Sequence, residues 1–343
     1  MTWLTSWRFW LGGGVSLFCL WLAFRQVPLG QLTQLITHVH PLLLLAAVGV
    51  LLLSIAARAQ RWVVLLNQRE RLLDSFWAQG IGYLFTNILP LRMGEPARVL
   101  VMSERCQLPL LQVAASAIVE RLLDAAANVF ILVLVLPWMQ VPPFMSRVGV
   151  SFGLAVLVGM GMLLLVARFN HRSERLVQAL CARFPLLRGT KLLVRWRELI
   201  HGFLPLLQGR VALQATGWSL VAWACSVAMF WCVLRAFQDN ARVEEAAFMM
   251  VALSFAIAVP SSPGFIGVFQ LIGQQALVFP FGAKYNAANA LAITLTVHLT
   301  YYIVTTTLGV IGLWRMGESF VHLGQVIAGR KADRKTQVGE AVQ

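Results

Sequence analysis

Apolar runs separated by basic loops constrain this chain more than any other feature it carries. Six of them, residues 8–24, 41–57, 111–136, 147–167, 211–234 and 286–314, have the length that crosses a bilayer, since a hydrocarbon core of about 30 Å takes about 20 helical residues. Two further apolar runs fall short. Residues 76–90 end at Pro90 and residues 246–259 end at Pro260, which at the helical rise gives a reach of only about 21–23 Å. Each is followed by a Gly/Pro-rich break and a second short apolar piece. These read as re-entrant hairpins or broken helices. The expected fold is therefore an all-α polytopic membrane protein of about six full spans plus two hairpins, or eight spans when the hairpins are counted.

Composition agrees. The chain is 59% hydrophobic and 12% charged, against about 25% charged residues in a soluble domain, and its mean hydropathy is +0.73. No alternating ten-residue strands of the outer-membrane type occur. The net charge of +14 would suggest nucleic acid in a soluble protein. Here it fits loops held on the cytoplasmic side against anionic lipid, so no nucleic-acid partner is expected. Five cysteines (Cys19, Cys106, Cys181, Cys225, Cys232) are scattered without a CxxC pair, which argues against a disulfide framework and against zinc. The opening "MTWLTSWRFWLGGGVSLFCLWLAF" lacks a small-residue cleavage site and reads as an uncleaved first span.

Loop charge sets the expected topology. Residues 58–75 carry Arg58, Arg61, Arg69 and Arg71, residues 168–210 carry nine Lys or Arg, and the end carries Arg315, Arg330, Lys331, Arg334 and Lys335. Residues 137–146 carry none and 25–40 only Arg25. Placing the basic loops inside gives N-in and C-in. The two hairpins stand in matching positions of the two halves, the pattern of an inverted repeat around a midplane site. Residues 1–320 form the membrane domain, and the basic tail 321–343 is expected to be disordered. Within 168–210, Leu176, Leu180 and Phe184 line one face of "SERLVQALCARF", and Leu192, Trp196, Leu199 and Phe203 line one face of the following segment. Basic amphipathic helices of this kind lie on an anionic leaflet.

Three places concentrate polar chemistry. The first is Asn87-x-x-Pro90-x-Arg92-x-Gly94-Glu95-x-x-Arg98. Pro90 breaks the helix, Gly94 supplies the positive φ of a sharp reversal, and Glu95 can pair with Arg98 three residues on. Arg92 has no local partner, and an unpaired guanidinium at a helix break is a receptor for phosphate or carboxylate. Two readings of this charged tip stand open: a substrate site, or a clamp that anchors the hairpin at the aqueous side. The second place is the span "SAIVERLLDAAANVF", in which Ser116, Glu120, Asp124 and Asn128 follow at i+4 steps with Arg121 beside them. One charge at mid-span costs about 2.5–3.5 kcal/mol, so three must face protein or water. Substrate contact and a salt bridge that locks the bundle are both open here. A metal would need a third ligand, and none is evident. The third place is "AVPSSPGFIGVF", where Ser261, Ser262 and Gly264 lie among Pro260, Pro263 and Gly267. It is neutral, with backbone N–H groups after Pro263 as an anion site or small residues for close packing. In the last span Thr294, His298 and Tyr302 make a polar stripe, with His298 ranked below the charged groups.

The motifs "ARAQRW" (Ala57–Trp62), "NILPLRMGEPAR" (Asn87–Arg98), "ERLLD" (Glu120–Asp124) and "PSSPGFIGVFQ" (Pro260–Gln270), in this order, resemble the transmembrane domain of the lysylphosphatidylglycerol synthase family, also called flippase-like. The last departs from the usual pattern, with Gln270 near a place where the family has Glu. The resemblance implies an integral membrane protein, of the bacterial inner membrane, that moves or handles lipid. In the synthase a separate soluble domain makes the aminoacylated lipid, and the segment after the last span here leaves no room for one. A flippase-like carrier without its own ATPase is thus expected, acting on a membrane lipid, either an anionic phospholipid or a lipid-linked sugar. Arg92 and Arg98 would take the phosphate, and Glu120 and Asp124 any amine or hydroxyls. No cofactor is implied. A membrane transferase acting on a lipid phosphate and a non-transporting partner of envelope-lipid or glycan synthesis are the other two readings, with a homo-oligomer or a biosynthetic enzyme as candidate protein partners.

Overall fold

A computed structural model describes residues 7–25, 27–37, 39–68, 71–89, 93–138, 143–183, 192–258, 262–319 and 323. Among them every regular element is helical. The order is α1 (Trp7–Phe24), α2 (Leu29–Thr37), α3 (Pro41–Leu66), α4 (Leu72–Ile88), α5 (Gly94–Cys106), α6 (Leu110–Val135), α7 (Pro143–Arg168), α8 (Asn170–Arg183), α9 (Leu192–Phe203), α10 (Gly209–Phe237), α11 (Val243–Ala258), α12 (Val268–Phe281) and α13 (Ala287–Met316). Three-residue 3-10 turns lie at Leu136–Trp138 and Pro263–Phe265. An apolar chain in lipid must satisfy its backbone within each segment, which leaves the helix as its open-ended solution. Local signals set the ends. Pro41 opens α3, and Asn67, in the left-handed conformation, closes it by donating its N–H back into the last turn. Asn286 caps α13 by accepting from Asn289 N, and Gly317 at φ 66° ends it.

Five described helices are long and apolar enough to cross a membrane: Pro41–Leu66, Gly149–Arg168, Gly209–Phe237, Pro263–Phe281 and Ala287–Met316. Four of these coincide with expected spans. The fifth is the second arm of the second hairpin together with the turn before it. α6 has 26 residues, but any stretch of it long enough to span includes Glu120, Arg121 and Asp124. The apolar helix described within α1 is the shorter Gly13–Phe24. α4, α5 and α11, of 17, 13 and 16 residues, reach about 20–26 Å each.

One departure from the sequence reading matters for the site. The second span does not stop at residue 57, because the apolar run resumes after Trp62 with Val63–Leu66, and α3 continues to Leu66. Arg58 and Arg61 are therefore helix residues inside the bundle and not loop charges.

α3 and α10 form the centre and run antiparallel: His40 N meets Ala236 O at one end, Ser54 Oγ donates to Ala222 O at 2.9 Å, and Arg61 reaches Ser219 near the other end. Around this pair the packing repeats. α4 lies on α13 as α11 lies on α6, α4 on α5 as α11 on α12, α3 on α4 as α10 on α11, and α5 on α6 as α12 on α13. Glycines allow the closest approaches. A Cβ on Gly309 would stand 2.5 Å from Gly80 O across the α4–α13 contact. Gly94 serves the same purpose. Its φ is not positive, contrary to the turn role expected of it; a Cβ there would stand 1.9 Å from Gly82 O and 2.1 Å from Thr86 Oγ1, so the two arms of the first hairpin touch through it. Of the hairpin glycines, it is Gly264 (67°) and Gly267 (91°) in the second hairpin that have positive φ.

The segment between α7 and α10 divides. Phe203 and Ile200 of α9 are buried, with Trp196 and Leu199 packed beside them against α6 and α7, and Gly202 abuts Gln112 O. The apolar face of α9 is thus a protein contact, not a membrane-surface face. Leu176 and Leu180 on α8 remain exposed. Phe184, Lys191 and the tail 324–343 lie outside the described residues.

Candidate functional site

A cavity of about 440 Å3 lies between the two hairpins and the α3–α10 pair, with Arg58, Asn87, Glu95, Arg98, Arg121, Asp124, Asn128, Gly264 and His298 on its walls. α6 supplies its charged side because its i+4 stripe turns inward: Ser116, Glu120, Asp124 and Asn128 are all buried. Ser116, Glu120 and Asp124 find partners on other helices, and Asn128 Nδ2 donates to Asp124 O within α6. Arg61, 0% exposed, donates to Glu120 Oε1 at 3.1 Å and to Asp124 Oδ1 at 2.7 Å. Arg98 donates to the other Glu120 oxygen at 2.8 Å and from two nitrogens to Glu95 Oε2 at 2.7 and 2.9 Å. Beneath Arg98 lies the ring of Trp62, 4.6 Å from the guanidinium, and Trp62 Nε1 donates to Ser116 Oγ at 3.0 Å. Glu120 is thereby bracketed by two arginines from two helices and shut away from the cavity.

The polar groups nearer the cavity are less well matched. Arg121 keeps 53% of its side-chain surface, and its ion pairs to Glu95 and Asp124 are both long, at 3.5 Å. Arg58 lies 3.4 Å from Asp124 and stacks at 4.6 Å over Trp223, whose Nε1 donates to Asp124 Oδ1 at 3.0 Å. Four guanidiniums thus share three carboxylates, leaving one positive charge over. Two buried oxygens, Asp124 Oδ2 and Asn128 Oδ1, have no hydrogen-bond partner. An unpaired buried polar atom costs about 1–3 kcal/mol, so an added donor at this wall would recover that energy.

The second hairpin contributes a neutral chain of hydrogen bonds. Gly267 N donates to Gln270 Oε1 at 2.7 Å, Gln270 Nε2 lies 2.8 Å from His298 Nδ1, and His298 Nε2 lies 2.9 Å from Gly264 O. With the Gln270 amide oriented by Gly267, His298 carries its proton on Nε2. The position of Gln270, where a carboxylate was at issue, is a cap on α12. The helix begins at Val268, so the N–H groups following Pro263 belong to a 3-10 turn and do not form the helix start expected there. Ser262 is outside the cavity, and its N–H donates to Ser16 Oγ of α1 at 3.1 Å. Asn87 closes the cavity's rim by donating to Thr305 and Thr306, each at 3.0 Å. Arg92, Pro90, Ser261 and Pro260 lie outside the described residues.

The structure gathers Asn87, Glu95, Arg98, Arg121, Asp124, Gly264 and His298 on one cavity, with Glu120 directly behind. It also adds Arg58, Arg61, Trp62, Trp223, Tyr83 and Tyr301, which the sequence reading did not assign to a site; the two tyrosine rings meet edge-on at 5.9 Å between α4 and α13. The one sequence signal for Arg58 and Arg61 was that the apolar run resumes after them, with Trp62–Leu66. Among the described residues no group of three His, Cys, Asp or Glu side chains could hold a metal ion.

No curated protein and no solved structure matches the chain. A family profile does, that of the lysylphosphatidylglycerol synthase TM region, over residues 9–309. That range contains every described residue that lines the cavity, together with the four sequence motifs. On this match the chain belongs to the lysylphosphatidylglycerol synthase TM-region family.

Proposed function

We propose that this lipid-handling membrane protein is a flippase-like carrier that admits a phospholipid or lipid-linked headgroup to the central cavity and passes it between leaflets. One observation carries the reading: Arg121, held only by two long ion pairs, stands beside two buried oxygens that receive no hydrogen bond, Asn128 Oδ1 and Asp124 Oδ2, the latter 3.5 Å from Arg121 itself. A phosphate suits the first, since the guanidinium fork matches its oxygens and attraction is strong in a site of low dielectric. A hydroxyl or ammonium suits the second. Arg121 and Arg58 take the phosphate here, in place of Arg98, whose three nitrogens already donate to Glu95 and Glu120.

The antiparallel α3–α10 pair and the matched packing around it support an inverted repeat, with α3 to α6 related to α10 to α13 by a two-fold axis in the membrane plane. The joint between Arg98 and Glu120 then corresponds to the joint between Gln270 and His298, one charged and one neutral. Rocking of one repeat against the other opens the cavity alternately to each side. With Arg58 and Arg61 removed from the loop count, the basic loops around Arg71, through 168–210 and after Arg315 still favour N-in and C-in.

The test is native mass spectrometry of the purified protein beside Arg121→Gln. A defined lipid carried by the wild type and lost from the variant supports the reading. No selective lipid, or equal retention by both proteins, removes the headgroup site and favours a scaffold for envelope-lipid synthesis.

A further inference from the structure

Trp223 separates two spaces of opposite character. On one side is the central cavity, towards which its indole N–H donates to Asp124 and over which Arg58 stacks. On the other is a groove of about 570 Å3 between α6, α10 and the start of α11, which also has Trp223 in its wall. Beyond Trp223 the groove is apolar. Phe130 and Leu134, both exposed, form one bank, and Ala224 and Ala228, one helical turn apart, form a smooth floor. Among the described residues its one charged lining residue is Glu244, which stands with Trp231 towards the start of α11. From Trp223 to Trp231 the floor runs about 12 Å along α10.

We infer that this groove seats one acyl chain of the phospholipid whose headgroup occupies the central cavity, with Trp223 as the partition between the two; the inference rests on the lipid-carrier reading above. A headgroup cannot stay in the groove, because nothing along its length before Glu244 would replace lost water. The central cavity has a charged wall, Arg58, Arg121 and Asp124, where a headgroup would bind. A lipid held with its head at Arg121 must still keep its tails in hydrocarbon, and Trp223, which lines both spaces, sets an apolar groove beside that site. The indole suits such a boundary, since its N–H edge is polar and its faces are not.

The experiment uses the full chain in vesicles containing phosphatidylglycerol with a photoactivatable diazirine midway along one acyl chain. Cross-links are mapped by mass spectrometry in the wild type, Arg121→Gln, Ala228→Trp and the milder Ala228→Leu. The expected result is labelling of the Phe130–Leu134 and Leu220–Trp231 peptides about tenfold above that at exposed Leu154 and Leu157 of α7, equivalent to about 1.4 kcal/mol of preference. It falls to the α7 level when the floor is filled or Arg121 is removed. Labelling no denser than on α7 overturns the inference, as does enrichment that is unchanged in Arg121→Gln. Arg121-dependent lipid retention with an unlabelled groove refutes the groove alone; loss of Arg121 dependence in both measurements refutes the headgroup site as well.

Discussion

Arg98 donates to Glu120 across 2.8 Å, and both side chains are almost wholly removed from solvent. This contact joins the second arm of the first hairpin to α6, so the charged break is fastened to the bundle through a buried ion pair. Arg61 fastens the same carboxylate to α3. The charges at the break therefore divide into two sets. Glu120, Arg61 and Arg98 are fully occupied, Arg61 binding Asp124 as well and Arg98 binding Glu95, whereas Arg121, Arg58, Asn128 and the second oxygen of Asp124 keep bonding capacity towards the cavity. The sequence left a clamp and a substrate site as rival accounts of the same residues; the buried ion pairs form a clamp, and the proposed headgroup site rests on other members of the cluster.

Glu120→Gln removes one of the two carboxylates that each of the buried Arg61 and Arg98 binds. It is expected to destabilise the protein by about 3–5 kcal/mol, the cost of breaking a buried pair from one side. Arg121→Gln removes two long, half-exposed pairs and is expected to cost less than about 1 kcal/mol. Thermal unfolding of both variants in one detergent measures the difference. Equal losses would show that the two arginine sets are not distinct.

Gly94→Ala forces a methyl into the carbonyl of Gly82 and the hydroxyl of Thr86. Overpacking of this kind costs about 1–3 kcal/mol, and the hairpin arms must separate to relieve it. Gly161→Ala in α7 meets nothing within 4 Å and is expected to be neutral or to stabilise by about 0.5–1 kcal/mol through helix propensity. Unfolding temperatures of the two alanine variants are the check.

Trp62→Phe keeps the ring near Arg98 but deletes the donor to Ser116 Oγ. The expected loss is about 1–2 kcal/mol, with lipid retention preserved. Loss of retention without loss of stability would move Trp62 from the support of the site into the site itself.

Topology can be read chemically. In a background without the five native cysteines, Arg183→Cys on α8 is expected to react with a membrane-impermeant maleimide only after the cytoplasmic face is opened. Asn240→Cys, between α10 and α11, is expected to react in intact cells. The reverse pattern would invert the proposed orientation.

Much of the architecture was legible because Pro and Gly punctuate helices strongly. The ends of α4 and α11, the start of α13 and the inward stripe on α6 all follow from breaks or from the cost of charge in lipid. Two things were not legible. Arg58 and Arg61 read as loop residues because an arginine at the end of an apolar run is ordinarily at the water interface; only the packing partners on α6 and α10 show that these two can be buried. The role of Gly94 was misassigned because a glycine's conformational freedom is a local property, whereas its use here depends on Gly82, a residue of the other arm. The apolar face of α9 was likewise visible in the sequence, but its partner, α6, was not.

The most direct test of the central claim is transfer of a headgroup-labelled phosphatidylglycerol between leaflets of reconstituted vesicles, followed by quenching of the outer-leaflet label with an impermeant reductant. The account predicts transfer by the wild type, loss in Arg121→Gln despite a stable fold, and retention in Trp62→Phe. Transfer by Arg121→Gln at the wild-type rate, or none by the wild type across lipids that it retains, would contradict it.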